Sequence, residues 1–175
     1  MTALVRPVSG SRLLTYADGV RAVYAYAFGS PPWSEGPEHA VAYLRRLGDD
    51  VHRPGFTAAL ALDGDTVVGW ATAWTTPSPF PTDRCHPQTS AALGDYGTAD
   101  WLCGAREVDE LAVSTRSRGA GLGARLLEAV TADRDDGRCR LLTSVAARGA
   151  VGYDGDRLDA PEVPATHLKA RGRVR

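Results

Sequence analysis

The sequence is short of cysteine, of lysine and of charge imbalance, and each shortage narrows what the protein can be. Its three cysteines, Cys85, Cys103 and Cys139, are an odd number without CxxC spacing. They suggest neither a disulfide framework nor a zinc site, and are read as free thiols. Lysine occurs once, at Lys169, against nineteen arginines, a bias of GC-rich coding that points to a bacterial source. Twenty basic and 21 acidic side chains leave a formal charge of −1, without the basic excess that a nucleic-acid partner would require. No apolar run approaches the roughly 18 residues of a membrane span. The first residues, MTALVRPVSGSRLL, lack the basic and apolar regions of a signal peptide. The expectation is a cytoplasmic protein with no membrane partner. What is present is 175 residues, 43% of them hydrophobic. That is enough for one domain burying roughly two-thirds of its unfolded surface.

Hydrophobic spacing orders the chain as two helices, a hairpin, an irregular insertion, a strand, a helix and a strand. Tyr16, Val20, Val23, Tyr24 and Ala27 fall at helical spacing behind Thr15 as the capping residue. Pro37 opens a second helix with Ala40, Val41, Leu44 and Leu47 on one face, Gly48 just past its end, and Arg45 and Arg46 toward solvent. In FTAALALDGDTVVGWATAW, residues 56–74, two apolar runs flank the turn pair Asp63-Gly64, which marks an antiparallel hairpin. Residues 75–105 carry too many prolines and glycines for a regular element and read as a functional loop or a surface excursion. REVDELAV, residues 106–113, is a strand. Period two sets Glu107, Asp109, Leu111 and Val113 on one face and Val108, Glu110 and Ala112 on the other. Leu122, Leu126, Leu127 and Val130 mark a helix over 121–134, and residues 140–146 a further short strand.

Between that strand and that helix stands STRSRGAGLGARLL, residues 114–127, with Gly119, Gly121 and Gly123. Glycines admit a ligand close to the backbone, and the free N–H groups and dipole of a helix start favour an anion, so a phosphate or pyrophosphate fits. Gly119, Gly121 and Ala124 satisfy a dinucleotide fingerprint. The next strand, however, ends in SVAARG without the acid a dinucleotide fold needs, and too little chain follows for further βα units. A P-loop needs a lysine that is absent here. A glycine turn with no ligand is the remaining alternative from the loop alone.

The strand ending in Val113 followed by Arg118-x-x-Gly121-x-Gly123 resembles the hallmark of the GNAT superfamily of acyl-CoA-dependent N-acetyltransferases. The DGDTVVGWA hairpin and the two preceding helices sit in that family's order, and the resemblance covers roughly residues 3–147. It implies an α/β fold with a mixed, mostly antiparallel sheet flanked by helices. It also implies a domain over 1–147, with its insertion at 75–105, ahead of an atypical segment over 148–175. The implied reaction is transfer of acetyl from acetyl-CoA to a primary amine of a small molecule or peptide. The resemblance maps the pyrophosphate onto Arg118, Gly119, Ala120, Gly121, Leu122, Gly123 and Ala124. It maps pantetheine onto the main chain of Leu111, Ala112 and Val113.

The acceptor ammonium, with a pKa of about 10, must lose a proton before it attacks. The resemblance implies a carboxylate base or relay at Glu107 first and Asp109 second; Glu110 is read as a polar-face or helix-facing partner. It carries protonation of the leaving thiolate to Tyr153. Trp33 and Trp101 fall where the family forms its acceptor pocket. After residue 147 the chain reads RGAVGYDGDRLDAPEVP and then a basic HLKARGRVR, with no hydrophobic hairpin to supply closing strands. That segment is read as a tail, an irregular cover over the acceptor side, or an exchange element in a homodimer. No His or Asp is spaced to activate Cys103 or Cys139, which favours direct transfer in a ternary complex over an acetyl-cysteine route. Cys85, His86 and Cys103 lack a fourth metal ligand, so no metal is expected. The competing readings are a non-catalytic acyl-CoA-binding module and a partner-binding domain that uses residues 75–105.

Overall fold

Small apolar residues on one face of the hairpin and large ones on the other decide how the layers pack. A computed structural model describes residues 3–83, 86–134 and 136–143. Five strands, β1 (Leu4–Val8), β2 (Thr57–Asp63), β3 (Thr66–Thr75), β4 (Arg106–Val113) and β5 (Cys139–Leu141), form one sheet in sequence order. The first three pairings are antiparallel, and β4 with β5 is parallel. Three helices, α1 (Gly10–Leu14), α2 (Ala17–Phe28) and α3 (Pro37–Asp50), precede the hairpin. Two more, α4 (His86–Gly97) and α5 (Leu122–Thr131), precede β4 and β5 respectively.

One core joins Leu13, Val20, Val23, Tyr24, Tyr43 and Leu47 of α1 to α3 with Ala58, Leu60, Trp70 and Ala112 of the sheet. On the opposite face Ala59, Ala61, Ala71 and Ala73 let α5 come close with Leu122, Leu126 and Val130. Gly69 belongs to the same approach, because a Cβ there would stand 2.9 Å from the Ala112 carbonyl and 3.2 Å from Leu126. The result is three layers, with helices on both faces of a mostly antiparallel sheet, as expected.

Several local expectations change. Thr15 closes α1, its hydroxyl donating to the Arg12 carbonyl at 2.8 Å, and Tyr16 takes the position before α2. Helix α3 runs through Gly48 to Asp50, where the carboxylate is buried between Arg46 and Arg53. Val41 is exposed and Tyr43 takes its place on the buried face. Arg46 does not face solvent but turns onto β4. Residues 75–105 hold a regular element after all: α4, kinked at Gly94 (φ 69°, ψ 171°), followed by one wide turn over Thr98–Leu102. Strand β1 was not foreseen. Its Pro7 is tolerated because the strand pairs on one side only, with β2.

Candidate functional site: the end of β4 and the glycine loop

Strand β4 carries an irregularity that redistributes its side chains. Thr72 of β3 pairs with Glu110 and Ala73 with Val108, so Asp109 has no counterpart and the strand bulges. Beyond the bulge the alternation shifts by one. Leu111 and Val113 pack on the α5 side with Val108, whereas Ala112 packs on the α2–α3 side. The strict two-residue alternation expected for this strand is thereby corrected. Glu110 does not project away from Asp109; both receive Arg46 of α3, at 3.2 Å for Asp109 and 3.5 Å for Glu110. The Asp109 side chain is 1% exposed and that of Glu110 21%. Of these two acids Glu110 is therefore the one open to solvent.

Beside this pair lies an aromatic stack in which Tyr24 packs on Tyr43 at 5.0 Å and on Phe28 at 4.6 Å. The Tyr24 hydroxyl donates to Glu35 at 2.7 Å, and Trp70 Nε1 donates to the Tyr43 hydroxyl at 2.8 Å. Burial first, then the nearby carboxylates, raises both phenols well above the ordinary range. Both therefore keep their protons at neutral pH. Trp33 meets Phe28 edge-on at 5.8 Å and is partly exposed. Trp101 sits elsewhere, in the wide turn that Arg138 ties to the start of β5 through the carbonyls of Asp100 and Cys103. It stands at the end of β4 and β5 opposite the glycine loop. The two tryptophans thus occupy different parts of the molecule.

Glu107 is buried in a separate set of contacts, away from Arg46. Its Oε1 accepts from His86 Nε2 at 3.0 Å, and its Oε2 from Trp74 Nε1 at 3.3 Å and Thr76 Oγ1 at 3.5 Å. The Arg140 guanidinium ion-pairs with the same Oε2. Burial works to raise this carboxyl, but the His86 bond and the Arg140 charge outweigh it and hold the group at about 2. A carboxylate so held is a weak base at neutral pH.

Parallel pairing between β4 and β5 covers only Arg106–Cys139, Glu107–Arg140 and Val108–Leu141. Among the described residues the two strands go no further together, and no described strand lies on the β5-facing side of β4 from Asp109 to Val113. After Val113 one tight turn, Thr115–Ser117, leads to Arg118 and the glycines. Gly119 (φ 82°) and Gly121 (φ 70°) are left-handed, and Gly121 stands at the start of α5. Among the described residues no side chain caps this start, and no acid occupies the first turn of α5. The first-turn amides are thus offered to an outside acceptor, with the positive end of the helix dipole behind them. Leu122 and Gly123 are buried, whereas Gly119 and Gly121 are exposed. The loop thus follows the end of β4 by one tight turn, and the amides it offers suit a phosphate group.

Tyr153 lies outside the described residues, as do Cys85 and the segment over 148–175. Cys103 is partly exposed and Cys139 buried, and no group of three metal-ligating side chains occurs among the described residues. No described helix is long and apolar enough to cross a membrane. Sequence reasoning had no place for Glu35, for Arg46 as a partner of β4, or for His86 and Arg140 as partners of Glu107. His86 had drawn notice only as a metal ligand.

Helices flank both faces of the described sheet, the bulged β4 pairs with a parallel β5 over three rungs, and a glycine turn opens α5. Residues 20–151 match the family model for the acetyltransferase (GNAT) family, and the chain belongs to that family. Acyl transfer from acyl-CoA is that family's chemistry. No curated protein sequence matches the chain. Among solved structures, a GNAT-family protein from Desulfovibrio desulfuricans superposes with a TM-score of 0.61 at 20% identity, over 92% of this chain and 87% of the other. The PaiA N-acetyltransferase of Thermoplasma acidophilum, in complex with coenzyme A, gives 0.56 at 15% identity over 92% of each chain. An aminoglycoside acetyltransferase from an uncultured soil metagenomic sample gives 0.55 at 20% identity, over 95% of this chain and all of the other. At these identities the likeness establishes the fold.

Proposed function

We propose that the protein transfers acetyl from acetyl-CoA to a primary amine of a small molecule or peptide, directly within a ternary complex. The observation that carries this reading is the glycine start of α5, capped by no described side chain, which follows the end of β4 after one tight turn. In this reading the amides of Arg118 to Ala124 hold the pyrophosphate. The main chain of Leu111, Ala112 and Val113 holds the pantetheine arm, and an amide there stabilises the oxyanion that develops on the thioester carbonyl. Acetyl-CoA supplies an activated acyl carbon, to which the amine nitrogen bonds as the carbon–sulfur bond breaks.

The ammonium proton goes, through water, to Glu110, the solvent-open carboxylate of the Arg46 pair, with Asp109 behind it. Glu107 keeps a holding role. Protonation of the departing thiolate stays assigned to Tyr153. Trp33 borders the acceptor, while Trp101, at the far end of β4, lends this reading no support. The PaiA complex supports the donor, since it shows a protein of this fold holding coenzyme A.

The test combines thermal stabilisation by acetyl-CoA with thiol release over a panel of amines. Stabilisation with release for at least one amine is expected. Stabilisation with no turnover favours the acyl-CoA-binding module, and absence of stabilisation by every CoA species overturns both readings. Replacing Glu110 with Gln should lower kcat at neutral pH by about 100-fold, the span of one general base. The loss should shrink at high pH, where the amine deprotonates unaided; a uniform loss across pH would remove Glu110 as the proton acceptor.

A further inference from the structure

The insertion between β3 and β4 returns to the sheet through one buried side chain. His86, the first residue of α4, is 3% exposed and both its ring nitrogens face oxygen atoms. Nε2 meets Glu107 at 3.0 Å; Nδ1 meets the Asp83 carbonyl at 2.8 Å and the Asp83 carboxylate at 3.2 Å. Phe80 stands edge-on to the imidazole at 5.3 Å and under the Arg140 guanidinium at 5.1 Å. Arg140 Nε also reaches Thr76 Oγ1 at 3.4 Å. Glu107 is thus gripped from the insertion by His86, from β5 by Arg140, and from β3 and its continuation by Trp74 and Thr76.

The place of this grip on the strands matters. Glu107 and Arg140 are register partners on the middle rung of three, one rung short of the last described pairing, Val108 with Leu141. A buried ion pair with hydrogen bonds on both carboxylate oxygens tolerates little displacement, because moving either charge leaves the other unpaired in a dry site. The described pairing of β4 with β5 is therefore held by side chains and not by the short backbone ladder alone.

We propose that His86 and Arg140 are positioning residues of the acyl-donor site: they hold Glu107 as a fixed anchor one rung short of the last described pairing of β4 with β5, and so fix the line of β4 along which the donor's thioester arm lies. This rests on the acyltransfer reading above and adds to it a use for the insertion, which supplies one jaw of the clamp. A proton acceptor at Glu107 and an anchor at Glu107 make opposite predictions. The acceptor governs kcat and its pH profile; the anchor governs how tightly coenzyme A binds.

The experiment measures coenzyme A affinity by calorimetry and the pH profile of kcat for the wild type and for H86L, H86Q and E107Q. Circular dichroism verifies the fold of each. H86L and E107Q should bind coenzyme A about tenfold more weakly, in line with the cost of a displaced supporting group, with the midpoint of the kcat profile unmoved. H86Q, whose amide N–H can replace that of Nε2, should recover most of the affinity. Wild-type affinity in H86L overturns the proposal, as does an E107Q that binds normally and shifts the profile. Should H86L fail to fold, H86Q and E107Q decide the question by the same two readouts. A wild type that binds no CoA species removes the acyltransfer reading itself, whereas one that binds no better than H86L removes only the clamp.

Discussion

A single carboxylate can be an acid, a base or a fixed charge, and its neighbours decide which. At Glu107 the neighbours include Arg140 and a hydrogen-bonded His86, and they hold the carboxyl at about 2 against an ordinary 4.5. The sign of the resulting pH dependence follows. On acidification the unfolded chain takes up this proton first, so the stabilisation is complete above about pH 4.5 and is lost as pH falls toward 2. The difference in denaturant midpoint between wild type and E107Q should be flat from neutral pH down to about 5 and shrink below that. A difference that persists undiminished to pH 2 would show that Glu107 is not ionised in the folded protein. Asp109 and Glu110, by contrast, share Arg46 in a setting that Glu110 leaves partly open to water. None of these differences is written in REVDELAV, where three acids look alike. Distinguishing them needs Arg46, 63 residues from Asp109, and Arg140, neither of which the local pattern connects to β4.

At the scale of elements, the sequence was most readable where apolar residues recur regularly beside a clear turn or helix-start signal. Helices α3 and α5 and the β2–β3 hairpin have apolar residues at the required period, and the turn pair at Asp63-Gly64 falls where the strands reverse. Strand β1 was hidden because five residues including Pro7 carry almost no alternation. Helix α4 was hidden because Pro87, Gly94 and Gly97 read as breakers, although Pro87 sits in its first turn and Gly94 serves as its kink. The bulge at Asp109 could not be read from either strand alone, since it is a property of their pairing. The glycine loop was legible in detail, and the left-handed backbone explains why. Gly121 is left-handed with open space around its Cβ position, so a side chain there meets strain and not collision. Gly121→Val should therefore fold with α5 intact yet lose coenzyme A affinity by at least about tenfold, a β-branched residue costing roughly 1–2 kcal/mol in this conformation and also crowding the phosphate path. Calorimetric titration measures this directly. Unaltered affinity would remove the loop as the anion seat.

At the scale of the whole molecule, two cores of different character flank one sheet. The α1–α3 side is aromatic and carries the charges near the bulge; the α5 side is built of alanine, leucine and valine. The donor and acceptor of a transfer reaction would thus meet at β4 from opposite faces, and the strand between them serves both. The three-rung junction of β4 and β5 has a consequence for motion. A short parallel segment outside the antiparallel strands would ordinarily fray, exchanging its amide hydrogens through small openings independent of global unfolding. Here fraying would drag the Arg140 charge away from Glu107, so β5 is denied its own opening route. Amides of Cys139–Leu141 should consequently exchange in step with the slowest amides of β3. In Arg140→Met they should exchange early while β3 keeps its protection. Such uncoupling, seen by native-state hydrogen exchange, would identify a buried charge as the latch that makes the mouth of the donor site as durable as the centre of the sheet.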